Sequence, residues 1–196
     1  MWKSSVVFGI SGLLLIGAIM VGAEKPAEEL KKTADKLHKQ GNYKEAQSLY
    51  QKIALKRNTK SKDVIHSINR FMECSQRLGN IDSADIFLEN VAEEHANHWR
   101  VIAGVANSYL NLRHDGHIVE GKFHRGNHRG NRGAQYANAQ ERDRVRSLQL
   151  FIEAMSLIKK EQKKKSTQAE LGQFYLQFAR AISYQREGSH RSWMFQ

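Results

Sequence analysis

"KQGNYKEAQSLYQKIAL" (residues 39–55) is the stretch on which the reading of the whole chain turns. Gly41 separates two amphipathic runs, and Tyr43, Ala46, Tyr50 and Ile53 follow it at steps of 2, 3, 4 and 3. Steps of three and four place these side chains on one face of a helix. Ala34, seven residues before Gly41, lies on the apolar face of the preceding run. Small side chains at Ala34 and Ala46 let two antiparallel helices approach, Gly41 permits the tight turn, and Tyr50 fills the space beyond. The spacing predicts a helix hairpin over residues 27–60.

The same steps recur. In "RLGNIDSADIFLENVAEEH" (77–95), Gly79, Ile81, Ala84, Leu88 and Val91 repeat 2, 3, 4 and 3, which predicts a second hairpin over 65–98. Trp99, Ile102, Ala103, Ala106 and Leu110 open a third over 96–158, and Ser147, Phe151 and Ala154 keep the 4, 3 spacing in its second helix. A partial fourth unit covers 166–185. This periodicity resembles the tetratricopeptide repeat, in which a small residue and a glycine precede a tyrosine, an alanine and an aromatic. The expected fold is all-α, a tetratricopeptide-like solenoid over residues 24–185. Its packing residues are Ala34, Gly41, Tyr43, Ala46, Tyr50, Gly79, Ala84, Leu88, Trp99, Phe151 and Ala154. No proline closes any unit, and residues 186–196, with Trp193, Met194 and Phe195, read as an unfinished tail.

The first 23 residues carry a different signal. Lys3 precedes an uncharged apolar run from Val6 to Val21, and small residues at Val21 and Ala23 stand before Glu24. That order is the pattern of a secretory signal peptide, so the expected location is periplasmic or secreted. The alternative is an anchor in the inner membrane formed by residues 6–21, a run near the lower limit for spanning a bilayer. Cys74 is the sole cysteine, so stability must come from packing and not from an internal disulfide. Its apolar neighbours Phe71 and Met72 predict a buried, inert thiol.

Residues 114–138 separate the two helices of the third unit by far more than the few residues such a turn needs. The insertion contains "GKFHRGNHRGNRGAQ" (121–135), rich in arginine, glycine and histidine. The net charge of +11 invites a nucleic-acid reading, yet export and the scarcity of stacking aromatics argue against it. A metal is the next option. Six of the nine histidines fall between His95 and His128, and His114, His117, His124 and His128 are the candidate ligands. They match no ligand template, so surface histidines are the simpler reading. The preferred reading is structural: Arg125, Arg129 and Arg132 fork onto carboxylates of neighbouring helices or form a docking surface. Glu141 and Asp143 in "ERDRVR" (141–146) stand nearby in sequence.

"HDGHIVEGKFHRGNHRG" (114–130), "ERDRVRSLQLFIEAM" (141–155) and "FYLQFAR" (174–180) together resemble the N-terminal helical region of large bacterial proteins of the alpha-2-macroglobulin family. The similarity is best over residues 95–185. It implies an exported helical segment of the kind that precedes many β-sandwich domains, here truncated or free-standing. The Cys-x-Glu-Gln thioester sequence and the bait region of that family are absent, so protease entrapment does not transfer.

No nucleophile elbow, zinc-protease helix or phosphate-binding loop occurs. The sequence therefore reads as a non-catalytic, cofactor-free scaffold that binds a protein partner on its concave helical face. Anionic envelope polymers are further partners for its basic surface. A His-rich periplasmic metal-binding protein is the alternative.

Overall fold

The structure, a computed structural model, describes residues 26–127, 133–161 and 168–183. Ala27–Lys39 (α1) and Tyr43–Ala54 (α2) form the first hairpin. Glu28 and Glu29 occupy the first turn of α1 and Lys36, His38 and Lys39 its last, each sign complementing the helix dipole. Ala34, Ala46, Tyr50 and Ile53 are fully buried between the two helices, and Gly41 turns the chain at a φ of 80°.

Ser61–Leu78 (α3) ends on Gly79 in the left-handed conformation. A 3-10 turn, Ile81–Ser83, then leads into Ala84–Glu94 (α4). Ala84 and Leu88 are fully buried, and Phe87 of α4 stacks on Phe71 of α3 with ring centroids 3.8 Å apart. Polar ties join the first two hairpins. Buried Gln47 donates to Ser75 Oγ (2.7 Å) and exchanges amide hydrogen bonds with Asn80. Buried His95 donates from Nε2 to the Ala54 carbonyl (2.8 Å), and burial lowers its pKa so that the ring is held neutral. Burial likewise pushes the Cys74 thiol up to about 11, consistent with an inert packing role.

Trp99–Asn111 (α5) and Gln140–Lys160 (α6) pack along each other, and Gln168–Ser183 (α7) closes the end of the array. Phe174 of α7 lies edge-on to Trp99 and Phe151, both at 5.8 Å, and Phe178 stacks on Phe151. Trp99 also donates to Glu161 (2.6 Å), fixing the last turn of α6 over the start of α5.

The all-α expectation fails between α5 and α6. Residues expected to be an irregular connector form an antiparallel sheet of Asp115–Val119 (β1), Lys122–Arg125 (β2) and Gln135–Asn138 (β3), in the order β2-β1-β3. The turn between β1 and β2 is Glu120-Gly121, both with positive φ (50° and 75°), as a two-residue type I′ connection requires. Val119 therefore pairs with Lys122 and His117 with His124. With a sheet built into its third helix pair and a 3-10 turn opening α4, the chain is a mixed helix–sheet fold and not a tetratricopeptide solenoid. The signal segment 1–23, His128, Arg129, Arg132 and the tail 186–196 lie outside the described residues. No helix among the described residues is long and apolar enough to cross a membrane.

One glycine fixes how the sheet packs. The Phe123 ring of β2 lies across Gly116 of β1, and a Cβ there would fall 2.5 Å from Phe123 Cζ and collide with the His124 carbonyl. Gly116→Ala is expected to lower stability by about 1–3 kcal/mol through overpacking, measured by chemical denaturation. A second prediction concerns acid. Burial raises the pKa of Asp35, but hydrogen bonds from His66 (2.8 Å), Tyr50 (2.8 Å) and Lys31 outweigh it and hold the carboxyl at about 2. A depressed folded-state pKa gives stability that is present above the unfolded value and lost as pH falls through the folded one. Asp35→Asn should therefore flatten the fall in melting temperature between about pH 4 and pH 2, and an unchanged acid limb would contradict the assignment.

Candidate functional site

The sheet is joined to the helices through charge. Arg125 ends β2 on the face turned toward α4 and α6, and its side chain is fully buried. Asp143, in the first turn of α6, is also fully buried. Arg125 Nη1 donates to Asp143 Oδ2 (2.8 Å) and to the Arg113 carbonyl (2.6 Å), while Nη2 donates to Asp143 Oδ1 (3.1 Å) and Asp85 Oδ1 (2.6 Å). Its Nε is buried without a hydrogen-bond partner.

Asp143 accepts two further donors: His114 from Nδ1 (2.8 Å) and Arg142 from Nη2 (2.8 Å) and Nε (3.2 Å). Burial pushes the Asp143 carboxyl upward, but the hydrogen bonds from Arg125, His114 and Arg142 overcome it and keep the pKa below the ordinary carboxylate value. The group is thus an anion at the centre of three donors.

A groove opens beside this network. Asp85, Ile86, Glu89 and Asn90 of α4 form one wall, Arg142, Asp143 and Arg146 of α6 the other, and Tyr109 of α5 the floor, enclosing about 440 Å³. Two ladders of i, i+4 residues face each other across it. Asp85 meets Arg142 (3.1 Å), and Glu89 takes a two-pronged pair of hydrogen bonds from Arg146 Nε (2.8 Å) and Nη2 (2.5 Å). The Tyr109 hydroxyl donates to Glu89 (2.6 Å) from below. The Arg146 hydrogen bonds, aided by Tyr109, hold Glu89 below its ordinary pKa.

Three carboxylates and three guanidiniums balance within the site, and besides the buried Arg125 Nε one solvent-facing donor edge is left over among the described residues. Arg142 is pinned by Asp85 and Asp143 through Nε and Nη2, and its guanidinium lies over the Phe123 ring at 4.7 Å. Its side chain is half exposed, and its Nη1 has no partner among the described residues. A guanidinium held on both sides and stacked on an aromatic loses little freedom when a further acceptor arrives.

The described candidates His114, His117 and His124 do not come together as ligands. His114 is committed to Asp143. His117 and His124 pair directly across β1 and β2, and His117 Nδ1 donates to the Gly126 carbonyl (3.3 Å). Among the described residues no three His, Cys, Asp or Glu side chains are arranged to hold a metal ion. Sequence reading singled out Arg125 and placed Glu141 and Asp143 nearby as carboxylates, but missed Asp85, Glu89, Tyr109, Arg142 and Arg146 as site residues. Their i, i+4 spacing is visible in the sequence, yet it gains meaning only once α4 and α6 are known to face each other.

The chain matches no protein-family model, no curated protein and no solved structure at a significant level. The resemblance to the alpha-2-macroglobulin family therefore has no support, and with it falls the reading of the chain as a scaffold of that kind.

Removing Arg125 would strand a buried carboxylate. Arg125→Ala is expected to cost about 3–5 kcal/mol. Asp143→Asn should cost clearly less in the Arg125→Ala background than in the native chain, because the two act on one network. A double-mutant cycle in urea measures this, and additive losses would contradict the coupling.

Proposed function

We propose that this chain is a non-catalytic binding module that takes an acidic segment of a partner polypeptide into the groove between α4 and α6. The observation that carries the reading is the pre-positioned Arg142, with its Nη1 edge unclaimed among the described residues and lining the groove together with Ile86, which is 70% exposed. A carboxylate can bond to a guanidinium edge with charge assistance, while an apolar side chain next to it covers Ile86. The apolar contact favours a polypeptide over an anionic polymer, which would offer charge alone.

Several features agree with this. The net charge of +11 steers acidic partners toward the molecule. Each carboxylate lining the groove is engaged by arginine, which leaves Asp85, Glu89 and Asp143 poorly placed as general bases or nucleophiles. The pattern of residues 1–23 supports delivery of the module to the periplasm or the exterior. The groove lies between the second helices of the second and third pairs, so recognition here does not depend on a repeat solenoid's concave face.

Selection of random peptides on the immobilised chain from Glu24 onward tests the proposal. Enriched peptides are expected to pair Asp or Glu with a neighbouring Leu, Ile or Phe. Arg142→Gln should weaken the best of them roughly tenfold, the loss of about 1.4 kcal/mol expected for one charge-assisted hydrogen bond. Enrichment without acidic residues, or binding that survives Arg142→Gln unchanged, would refute it.

A further inference from the structure

The groove between α4 and α6 has unlike ends. Asp85 pairs with Arg142 and Glu89 with Arg146, so the two rungs advance together and the helices run parallel. At the amino-terminal end Asp85 and Asp143 are both held by guanidiniums, and the Nη1 edge of Arg142 leaves positive charge unmatched. Toward the carboxyl-terminal end the sign reverses. Helical spacing continues the two lining faces from Glu89 to Glu93 on α4 and from Arg146 to Glu153 on α6. Both carboxylates are exposed, and neither has an ion-pair partner among the described residues. Glu153 is close enough for its charge to act on Arg146.

The position of Glu93 adds an independent clue. Negative charge in the last turn of a helix opposes the helix dipole, yet the last turn of α4 contains Glu93 and Glu94 and no basic residue. Arg57 and Lys60 line the loop cavity beside Glu93 but make no ion pair with it, and Arg57 is committed to Glu94 (2.7 Å). A carboxylate that the isolated helix disfavours, and that no described cation answers, suits a cation brought from outside.

We infer that the partner segment is bipolar, with an acidic residue at Arg142 and a basic residue at Glu93 and Glu153, about five positions apart in an extended chain. This rests on the groove reading given above and deepens it. Arg142 and Glu153 stand three turns apart on α6, a rise of about 16 Å. An extended chain covers that distance at about 3.3 Å per residue. A groove of about 440 Å³ bridged by ion pairs does not admit a helix, which is about 10–12 Å across. The far carboxylates also select by repulsion. A polyanionic tract that satisfied Arg142 would set its next charges against Glu93 and Glu153. The net charge of +11 alone would favour that polyanion, so the polarity of the groove gives a selectivity that overall charge cannot.

Fluorescence anisotropy of labelled peptides on the full chain tests this. Each peptide carries one Asp, a neighbouring Leu and one Lys at a varied distance from the Asp, in both orders, on a Gly-Ser background. Affinity is expected to peak with the Lys about five positions from the Asp, roughly fivefold above the same peptide with Gln for Lys. Glu93→Lys combined with Glu153→Lys should invert the preference. A peptide with a second Asp in place of the Lys should then bind roughly fivefold better than the Lys peptide, with the melting temperature within a few degrees of native. Binding that Arg142→Gln still weakens, but that ignores the Lys and the double reversal, would overturn this inference and leave the acidic-residue groove standing. Failure of every peptide on both the native and the reversed chain would overturn the groove reading and this one with it.

Discussion

The buried pair of Arg125 and Asp143 is the constraint on which the described body depends. Taking a guanidinium and a carboxylate out of water costs several kcal/mol for each ion, and the attraction between them offsets that only where the remaining donors and acceptors are also satisfied. Here Asp143 accepts from Arg125, His114 and Arg142, while Arg125 reaches Asp85 and the Arg113 carbonyl as well. The pair thereby fixes three things at once: the end of β2, the first turn of α6, and the start of α4. A hydrophobic plug of equal volume could fill the space but could not specify the register of a four-residue strand.

That constraint also shapes the groove. Because Asp143 and Asp85 hold Arg142 from two sides and Phe123 supports it from below, the exposed arginine is ordered before any partner arrives. The glycine at 116 contributes by letting the Phe123 ring lie flat across β1. Sheet, buried ion pair and groove are therefore one construction, and α1, α2 and α3 supply the rigid body against which it is set.

The helical part was legible in the sequence because burial follows helical spacing there. Ala34, Ala46, Tyr50, Ala84, Leu88, Phe151 and Ala154 are all fully buried, and Gly41 and Gly79 turn the chain with positive φ. The sheet was not read, although the signal existed. In "IVEGKF" (118–123) a Glu-Gly pair is flanked by Ile118 and Val119 on one side and Phe123 on the other. The charges and histidines around it mask the alternation, since the strands bury Arg125 and Gly116 rather than a row of aliphatic side chains. Asp85 was hidden for another reason: its partner lies 40 residues away in sequence and comes close only through the tertiary fold.

Hydrogen exchange on the Arg125→Met chain is the most direct test of whether this ion pair holds the sheet to the helices. Amide protection in residues 115–127, 133–138 and the first turn of α6 should fall by orders of magnitude, while α1, α2 and α3 keep theirs. Strands that remained as protected as in the native chain, or a loss spread evenly over all helices, would contradict the account.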